Sequence, residues 1–257
     1  MVRTAIQLHT LRMLEEPVWD VLFRVGDTTF DGVEFYNVHF DGFENESALE
    51  RTRTALETAD LFAAGAHLSA DRIESSFEDV VGVCSTLGIS SLVVPSYERE
   101  AFASVTALEA AVEHLADLAA ALAAHDIELL YHNHSFEFVD LEVEGEPRTA
   151  FEVFVDRANG RFGFEPDLGL AARAGYDPLE LLSLVSNRAP VVHVTDTVPD
   201  DPDRLHADVG AGVVDWRECA EAAREHGAEW IICENGVTAD GLASLDHGSK
   251  AFAGFRS

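Results

Sequence analysis

Short apolar runs recur from one end of the chain to the other, and each is followed by a longer stretch of mixed polarity. Each run is four to six residues long, and runs of this length between polar segments are typical of buried β-strands. The eight predicted strands are residues 4–9, 32–35, 64–68, 91–94, 128–133, 162–167, 191–194 and 230–234.

The stretches between the strands have helical periodicity. Residues 105–125 are the clearest case, because apolar side chains from Leu108 to Leu122 return every three or four positions and mark one buried face. Helices are also predicted at 47–58, 178–186 and 215–226, the second beginning with a proline at a favoured first-turn position. Strands alternating with helices predict a parallel sheet covered by helices.

The number of strands and the length of the chain narrow the fold class. Eight strand–helix units within 257 residues predict an α/β protein of one domain, residues 1–257, folded as a (β/α)8 TIM barrel. The alternative is an open, doubly wound sheet, which would carry a glycine-rich phosphate loop after its first strand. The sequence there reads HTLR, so the barrel is favoured, with residues 139–148 and 198–203 as loops.

Composition adds a strong negative charge. Asp and Glu number 47 against 17 Lys and Arg, a net charge of −30, while 47% of the residues are hydrophobic and can bury a full core. Such a surface repels phosphate backbones and anionic lipids, so neither nucleic acid nor a membrane is an expected partner. With no long apolar segment and no signal-peptide pattern, a cytoplasmic location is expected. Cys84, Cys219 and Cys233 are widely spaced and are expected in the core.

The basic residues are biased, since sixteen of the 17 are Arg and the only lysine is Lys250. An acidic, lysine-poor surface resembles those of proteins from extreme halophiles, where molar salt screens the self-repulsion. A merely acidic protein from an ordinary habitat is the alternative.

Polar residues end nearly all of the predicted strands. The C-terminal ends of barrel strands form the active-site face, and buried imidazoles and carboxylates there need a compensating partner. His132, Asp167, His193 and Glu234 come from four consecutive strands, which a barrel places side by side. Mixed imidazole and carboxylate ligands predict one divalent metal ion, with Mn²⁺ expected first and Co²⁺, Zn²⁺ or Mg²⁺ as alternatives.

Several strings resemble motifs of a known family. YHNHSFEF (131–138), PDLGLAARAG (166–175), VVHVTD (191–196), VGAGVVDW (209–216) and IICENG (231–236) occur in the order found in the xylose isomerase-like TIM-barrel superfamily. They resemble its sugar (phosphate) isomerase/epimerase branch, and GVEFYN (32–37) and GAHLS (65–69) extend the resemblance over nearly the whole chain.

The resemblance implies a metal-dependent isomerase or epimerase that abstracts a proton α to a sugar carbonyl and passes through an enediolate. Asp167, His193 and Glu234 match three of the family's four metal ligands, whereas His132 stands where many members have Glu. Glu234, His132 and Glu137 are the expected catalytic residues, although an imidazole bound to metal cannot also act as a base. The expected substrate-binding residues are Gln7, Glu34, His67, His134 and His206.

Arginine and lysine are sparse near these motifs, which favours an unphosphorylated small sugar as substrate; a homo-oligomer is compatible with the sequence. Two other functions remain open. A DNA-repair endonuclease of the same superfamily would need further metal ligands and a basic surface, which the charge disfavours. The second open function is a barrel that binds sugar or metal without turnover. His132 makes it plausible, because it stands in place of one catalytic carboxylate of the family.

We predict that the fold requires salt for stability. A charge of −30 on 257 residues is strongly self-repulsive at low ionic strength, so the melting temperature should rise steeply with KCl. Thermal unfolding from low to molar KCl measures this, and a flat profile would contradict the halophile interpretation.

Overall fold

All eight predicted strands form, and they pair in parallel in a nearly closed barrel. The computed structural model describes residues 2–143 and 145–255. The eight barrel strands are β1 (Arg3–Gln7), β2 (Gly32–Tyr36), β3 (Phe62–His67), β4 (Ser91–Val94), β5 (Glu128–His132), β8 (Gly163–Glu165), β9 (Val191–His193) and β10 (Trp230–Cys233). Two further strands, β6 (Asp140–Val143) and β7 (Glu146–Thr149), form a separate two-stranded sheet.

Helices connect the strands and cover the outside of the sheet. They are α1 (Val18–Gly26), α2 (Asn37–Phe43), α3 (Glu46–Thr58), α4 (Ala70–Ser75), α5 (Phe77–Leu87), α6 (Val105–Ala123), α7 (Ala150–Ala158), α8 (Leu168–Arg173), α9 (Pro178–Leu184), α10 (Trp216–Glu225) and α11 (Gly241–Phe252). Short 3₁₀ helices lie at Leu8–Leu11, Arg99–Phe102 and Phe136–Phe138. None of the helices in the described part of the chain is long and apolar enough to cross a membrane.

The strand order is β8-β5-β4-β3-β2-β1-β10-β9, so β8 and β9 lie at the two ends of the sheet. These ends meet just beyond the strands, where Asp167 pairs with His193 and the His193 N–H donates to the Pro166 carbonyl at 3.0 Å. The closure therefore lies at the C-terminal face of the barrel, between two of the predicted metal ligands.

The helix boundaries follow local capping chemistry. Ser104 accepts a hydrogen bond from the Ala107 N–H and begins α6, whose predicted apolar face is buried. Thr149 and Glu152 form a reciprocal capping box at the start of α7. The predicted helices lie within two residues of the observed ones.

The prediction of a loop at residues 139–148 is wrong. An antiparallel hairpin of β6 and β7 occupies it, with the turn passing through Gly145 at φ +88°. β6 does alternate polar and apolar residues, with Leu141 and Val143 half-buried, but the run is only four residues long and its partner β7 carries no such alternation. The second predicted loop, 198–203, contains no helix or strand. All three cysteines are free and buried, as expected.

Candidate metal-binding site

The C-terminal ends of the strands bring the predicted ligands together. Asp167, His193 and Glu234 each offer a donor atom within 4.8 Å of the others, and all three side chains are buried. His193 Nδ1 lies 3.3 Å from Glu234 Oε2. The fourth predicted ligand, His132, belongs to a second cluster with His67, Glu165 and His193, and its Nε2 lies 3.9 Å from Asp167 Oδ2. His132 and His193 end β5 and β9, whereas Asp167 and Glu234 follow β8 and β10, and these four strands are neighbours in the barrel.

Two of these ligand atoms are inaccessible to solvent and poorly paired. Asp167 Oδ2 has no hydrogen-bond partner among the described residues, and His193 Nδ1 faces the Glu234 carboxylate at 3.3 Å. Burying a polar atom without a partner is costly, and buried unsatisfied groups are rare in folded proteins. The cluster therefore fits a divalent cation, because a metal ion would satisfy both atoms at once.

Helix capping determines which oxygen of Asp167 is left free. Asp167 is the N-cap of α8, and its Oδ1 accepts the Leu170 N–H at 2.7 Å. The Thr195 hydroxyl donates to the same oxygen at 2.6 Å. Oδ1 is thus saturated by the fold, and only Oδ2 remains for a ligand.

A second layer of carboxylates beneath the cluster orients the imidazoles. His132 Nδ1 lies 2.9 Å from Glu165 Oε2, so Nδ1–H donates there and the Nε2 lone pair is directed away. His193 Nε2 lies 2.7 Å from Glu34 Oε2, which leaves Nδ1 toward the cluster. Carboxylates that hold the far nitrogen of a histidine in this way commonly support metal ligands.

Burial and charge together set the pKa values in this layer. Burial and the charge of Glu34 raise the pKa of Glu165 to about 8. Burial alone would lower the pKa of His67, but Glu34 and Glu165 outweigh it and raise it to about 10. His193 behaves likewise, with its pKa well above the usual value, so binding of a cation at Nδ1 must displace a proton.

The other two ligand candidates have depressed pKa values. Burial, followed by the charges of His193 and His67, lowers the pKa of His132 well below its usual value, so its ring is neutral and able to coordinate. Burial works to raise the pKa of Glu234, yet hydrogen bonding to His193 and His9 outweighs it and keeps the pKa well below the ordinary range. Glu234 is therefore a carboxylate.

A cavity of about 300 Å³ opens onto this cluster. Six of its lining residues are expected site residues: Gln7, His67, His132, His134, His206 and Glu234. The others are His9, Tyr36, Asn37, Pro95, Leu170, Leu205, Gly236 and Val237. Among these described lining residues there is no lysine or arginine, so imidazoles and apolar side chains form most of the wall.

Glu34 does not contact the cavity, which corrects its expected role in binding substrate hydroxyls. It is fully buried below the cluster, where Oε2 accepts hydrogen bonds from Gln7 at 2.8 Å and from His193. Glu34 was expected to close the second strand, but β2 continues for two further residues to Tyr36, and the Glu34 side chain supports other site residues.

Glu137 is also withdrawn from the cavity, contrary to the expectation that it reaches back as a catalytic group. Its carboxylate accepts hydrogen bonds from the Tyr131 hydroxyl at 3.0 Å and from the His134 N–H at 2.9 Å. These bonds tie the 3₁₀ helix Phe136–Phe138 to β5. Glu137 therefore shapes the segment that presents His134.

Two site residues were missed from the sequence. Glu165 lies at the centre of the layer, within hydrogen-bonding distance of His67 and His132. Its position two residues before Asp167 was a usable signal, because alternate residues of a strand face the same side. His9, the last residue of the first predicted strand, lies at the cavity wall with Nδ1 3.3 Å from Glu234 Oε1.

Comparison with known proteins assigns a family. Residues 24–249 match the model of the family described as "Xylose isomerase-like TIM barrel". No curated protein matches the chain.

Solved structures share the fold at low identity. A sugar phosphate isomerase/epimerase from Parabacteroides distasonis is 17% identical, with TM-score 0.78 and coverage of 98% of this chain and 93% of the other. The IOLI protein with a bound zinc atom is 13% identical, with TM-score 0.74 and coverage of 98% and 97%. An AP endonuclease of family 2 from Brucella melitensis is 18% identical, with TM-score 0.69 and full coverage of both chains. At identities this low, the structural similarity establishes the fold alone. The activities named for these neighbours differ from one another.

The buried Glu137 generates a testable pH effect. Burial raises its pKa from 4.5 to about 7 in the folded protein, so the folded state holds a proton that the unfolded state releases. This contribution to stability is present at acidic pH and is lost as the pH rises toward 7. We expect the stability of Glu137→Gln relative to the native protein to increase by about 2 to 3 kcal/mol between pH 5 and pH 8.

Urea unfolding of both proteins at matched salt measures this difference. Glu98→Gln, at an exposed carboxylate on the same face, is the control and should follow the native protein at every pH. Parallel curves for Glu137→Gln and the native protein would contradict the assignment.

Proposed function

The chain belongs to the xylose isomerase-like TIM barrel family, and from that premise we propose that it is a divalent-metal-dependent sugar isomerase or epimerase. The reaction proposed is proton transfer at a carbon α to the carbonyl of a small sugar. One observation carries the proposal: the unpartnered Asp167 Oδ2 converges with His193 Nδ1 and Glu234 at the end of a sugar-sized cavity.

Four residues would hold the metal ion: His132 through Nε2, Asp167 through Oδ2, His193 through Nδ1, and Glu234. The donor set of two imidazoles and two carboxylates suits Mn²⁺, Co²⁺ or Zn²⁺ better than Mg²⁺, which prefers oxygen ligands. When bound, such an ion supplies Lewis acidity that stabilises the negative charge developing on substrate oxygens during proton abstraction.

Glu234 is the proposed general base. It lines the cavity, and its depressed pKa keeps it ionised and ready to accept a proton. Its Oε1 is 3.3 Å from His9 Nδ1, which holds that oxygen toward the cavity side of the cluster. His132 cannot share the task while its Nε2 lone pair is engaged as a ligand, since Nδ1 is already committed to Glu165.

His134 is the proposed second group for proton transfer on the other side of the substrate. It lines the cavity, and burial lowers its pKa to about 4, so its ring is neutral and can accept a proton. Its Nδ1 is buried and has no partner among the described residues. Glu137 contributes by fixing the His134 backbone.

The cavity supports an unphosphorylated substrate. No lysine or arginine stands among the described lining residues, and the His67 imidazolium is already paired with Glu165 at 2.6 Å, so a phosphate dianion there would lack a free charge partner. Arg173, the arginine within the PDLGLAARAG string, donates instead to the carbonyls of Val198 and Asp201 within a loop. A volume of about 300 Å³ is at the small end for ligand sites and fits a monosaccharide.

A sugar panel tests the proposed function against a barrel that binds without turnover. The protein with Mn²⁺ is incubated with aldoses and ketoses and, separately, with their phosphates. The products are separated by chromatography. Isomerised or epimerised products support the proposal, whereas binding without any product would contradict it.

We predict that the protein binds one divalent ion per chain. Mass spectrometric metal analysis is made on protein purified without chelator, and again after Mn²⁺ addition and dialysis in high salt. Asp167→Asn should abolish stoichiometric binding, because it removes the charge of the free oxygen. Asp140→Asn is the control for adventitious binding to the acidic surface and should retain it. Absence of stoichiometric metal in the native protein would contradict the site.

We predict that Glu234→Gln lowers turnover by about 10² to 10⁴-fold, the usual cost of losing an acid/base group. His132→Glu should retain metal, because the carboxylate of the new side chain can bind the ion in place of the imidazole. Turnover and metal content are measured on the same preparations. The roles would be inverted if Glu234→Gln kept near-full activity while His132→Ala lost activity but retained metal.

A further inference from the structure

His206 is a buried histidine that approaches the cavity from outside the barrel strands. It lies in the long segment 194–215 between β9 and α10 and is 8% exposed. Its Nδ1 accepts a hydrogen bond from the Gly236 N–H at 2.9 Å. Its Nε2 is buried and has no partner among the described residues, although His206 lines the cavity.

The Gly236 contact determines where the hydrogen of the His206 ring lies. A backbone N–H is always a donor, so Nδ1 must use its lone pair and cannot carry a hydrogen. A neutral imidazole has one hydrogen, which must then be on Nε2. His206 therefore presents an N–H donor, without a lone pair, at the only ring nitrogen left free.

The backbone around His206 is held rigidly by Asp196. The Asp196 carboxylate accepts hydrogen bonds from the N–H groups of Gly210 at 2.9 Å, Gly212 at 2.8 Å and Val214 at 3.0 Å. The Ala207 N–H donates to the Asp196 carbonyl at 2.8 Å. The residue next to His206 is thus paired to Asp196, three residues beyond β9, and the Gly236 N–H holds the ring itself.

Gly236 brings the His206 ring close to the proposed base. A Cβ atom at Gly236 would lie 3.1 Å from Glu234 Oε1 and 3.2 Å from both His206 Nδ1 and His9 Nδ1. Contacts this close are tighter than ordinary packing, so glycine allows the three side chains to approach one another. The His206 ring consequently borders the same part of the cavity as the Glu234 carboxylate.

From this geometry we infer that His206 is a substrate-positioning donor that selects a sugar with an acceptor oxygen beside Glu234. The substrate class is an uncharged polyhydroxy ketone or aldehyde, whose carbonyl or hydroxyl oxygen accepts the Nε2–H. His206 is neither a metal ligand nor a general base, because both roles need the lone pair that Nε2 lacks. The inference deepens the proposed function and rests on it for the identity of the ligand.

Nuclear magnetic resonance of isotope-labelled histidine side chains tests the tautomer directly. Proton–nitrogen correlation spectra are recorded for the metal-free protein and with equimolar Zn²⁺, and His206→Gln identifies the His206 signals. We expect hydrogen on Nε2 in both states, while the signals of His132 and His193 shift with Zn²⁺. Hydrogen on Nδ1, or a Zn²⁺-dependent shift showing Nε2 coordination, would overturn the inference.

This experiment separates the two proposals. If His132 and His193 fail to respond to Zn²⁺ while His206 keeps its hydrogen on Nε2, the metal-dependent function fails and the His206 assignment stands. If His132 and His193 respond but His206 is a ligand, the proposed function stands and the inference fails.

Calorimetry tests the positioning role with the Mn²⁺-loaded protein and D-fructose, D-psicose, D-tagatose and D-sorbose as probes. His206→Leu should weaken binding of the preferred ketose about tenfold, since it leaves the sugar oxygen without a donor. His206→Gln, which keeps an N–H donor, should stay within about threefold. His226→Leu, at the end of α10, is the control and should bind like the native protein.

Equal affinities for the native protein, His206→Leu and His206→Gln would overturn the positioning role. If the native protein binds none of the four ketoses, the proposed substrate class fails, and the tautomer measurement alone decides whether His206 is the donor described.

Discussion

The site depends on two carboxylates buried beneath three imidazoles. Glu34 and Glu165 are completely inaccessible to solvent, and burying either as an isolated anion would be prohibitively costly. Hydrogen bonds to His67, His132 and His193 offset that cost. The same bonds fix the ring orientations, so stabilisation of the barrel interior and orientation of the metal ligands come from one set of contacts.

The barrel supplies the distances that this network requires. Parallel strands in register bring Gln7 beside Glu34 and bring His132 beside Glu165 as paired positions on adjacent strands. Closure between Asp167 and His193 then joins the two ends of the sheet at the ligand cluster. Site and fold are therefore coupled, since a shift of one residue in register would turn the site residues of that strand away from the interior.

The sequence predicted the fold and the four proposed ligands because both leave periodic signals. Strand runs and helical spacing identified the eight units, and the polar residues that close each run identified the C-terminal ends of the strands. Depth within the barrel leaves no such signal. Glu34 and Gln7 occupy paired positions on neighbouring strands, yet Gln7 lines the cavity and Glu34 lies beneath it. Glu137 was misplaced for a related reason, as sequence distance cannot show that Tyr131 holds its carboxylate.

The surface charge and the site charge obey separate constraints. Exposed charges separated by more than a Debye length are screened by salt, whereas buried hydrogen-bonded groups are affected much less. The net charge of −30 therefore governs solubility and self-repulsion without setting the chemistry of the cavity. Inside the barrel three glutamates are matched instead by imidazoles: His9 for Glu234, His193 for Glu34, His67 and His132 for Glu165. Matching by histidine, with no arginine or lysine among the described cavity residues, leaves the site able to exchange protons for a metal ion.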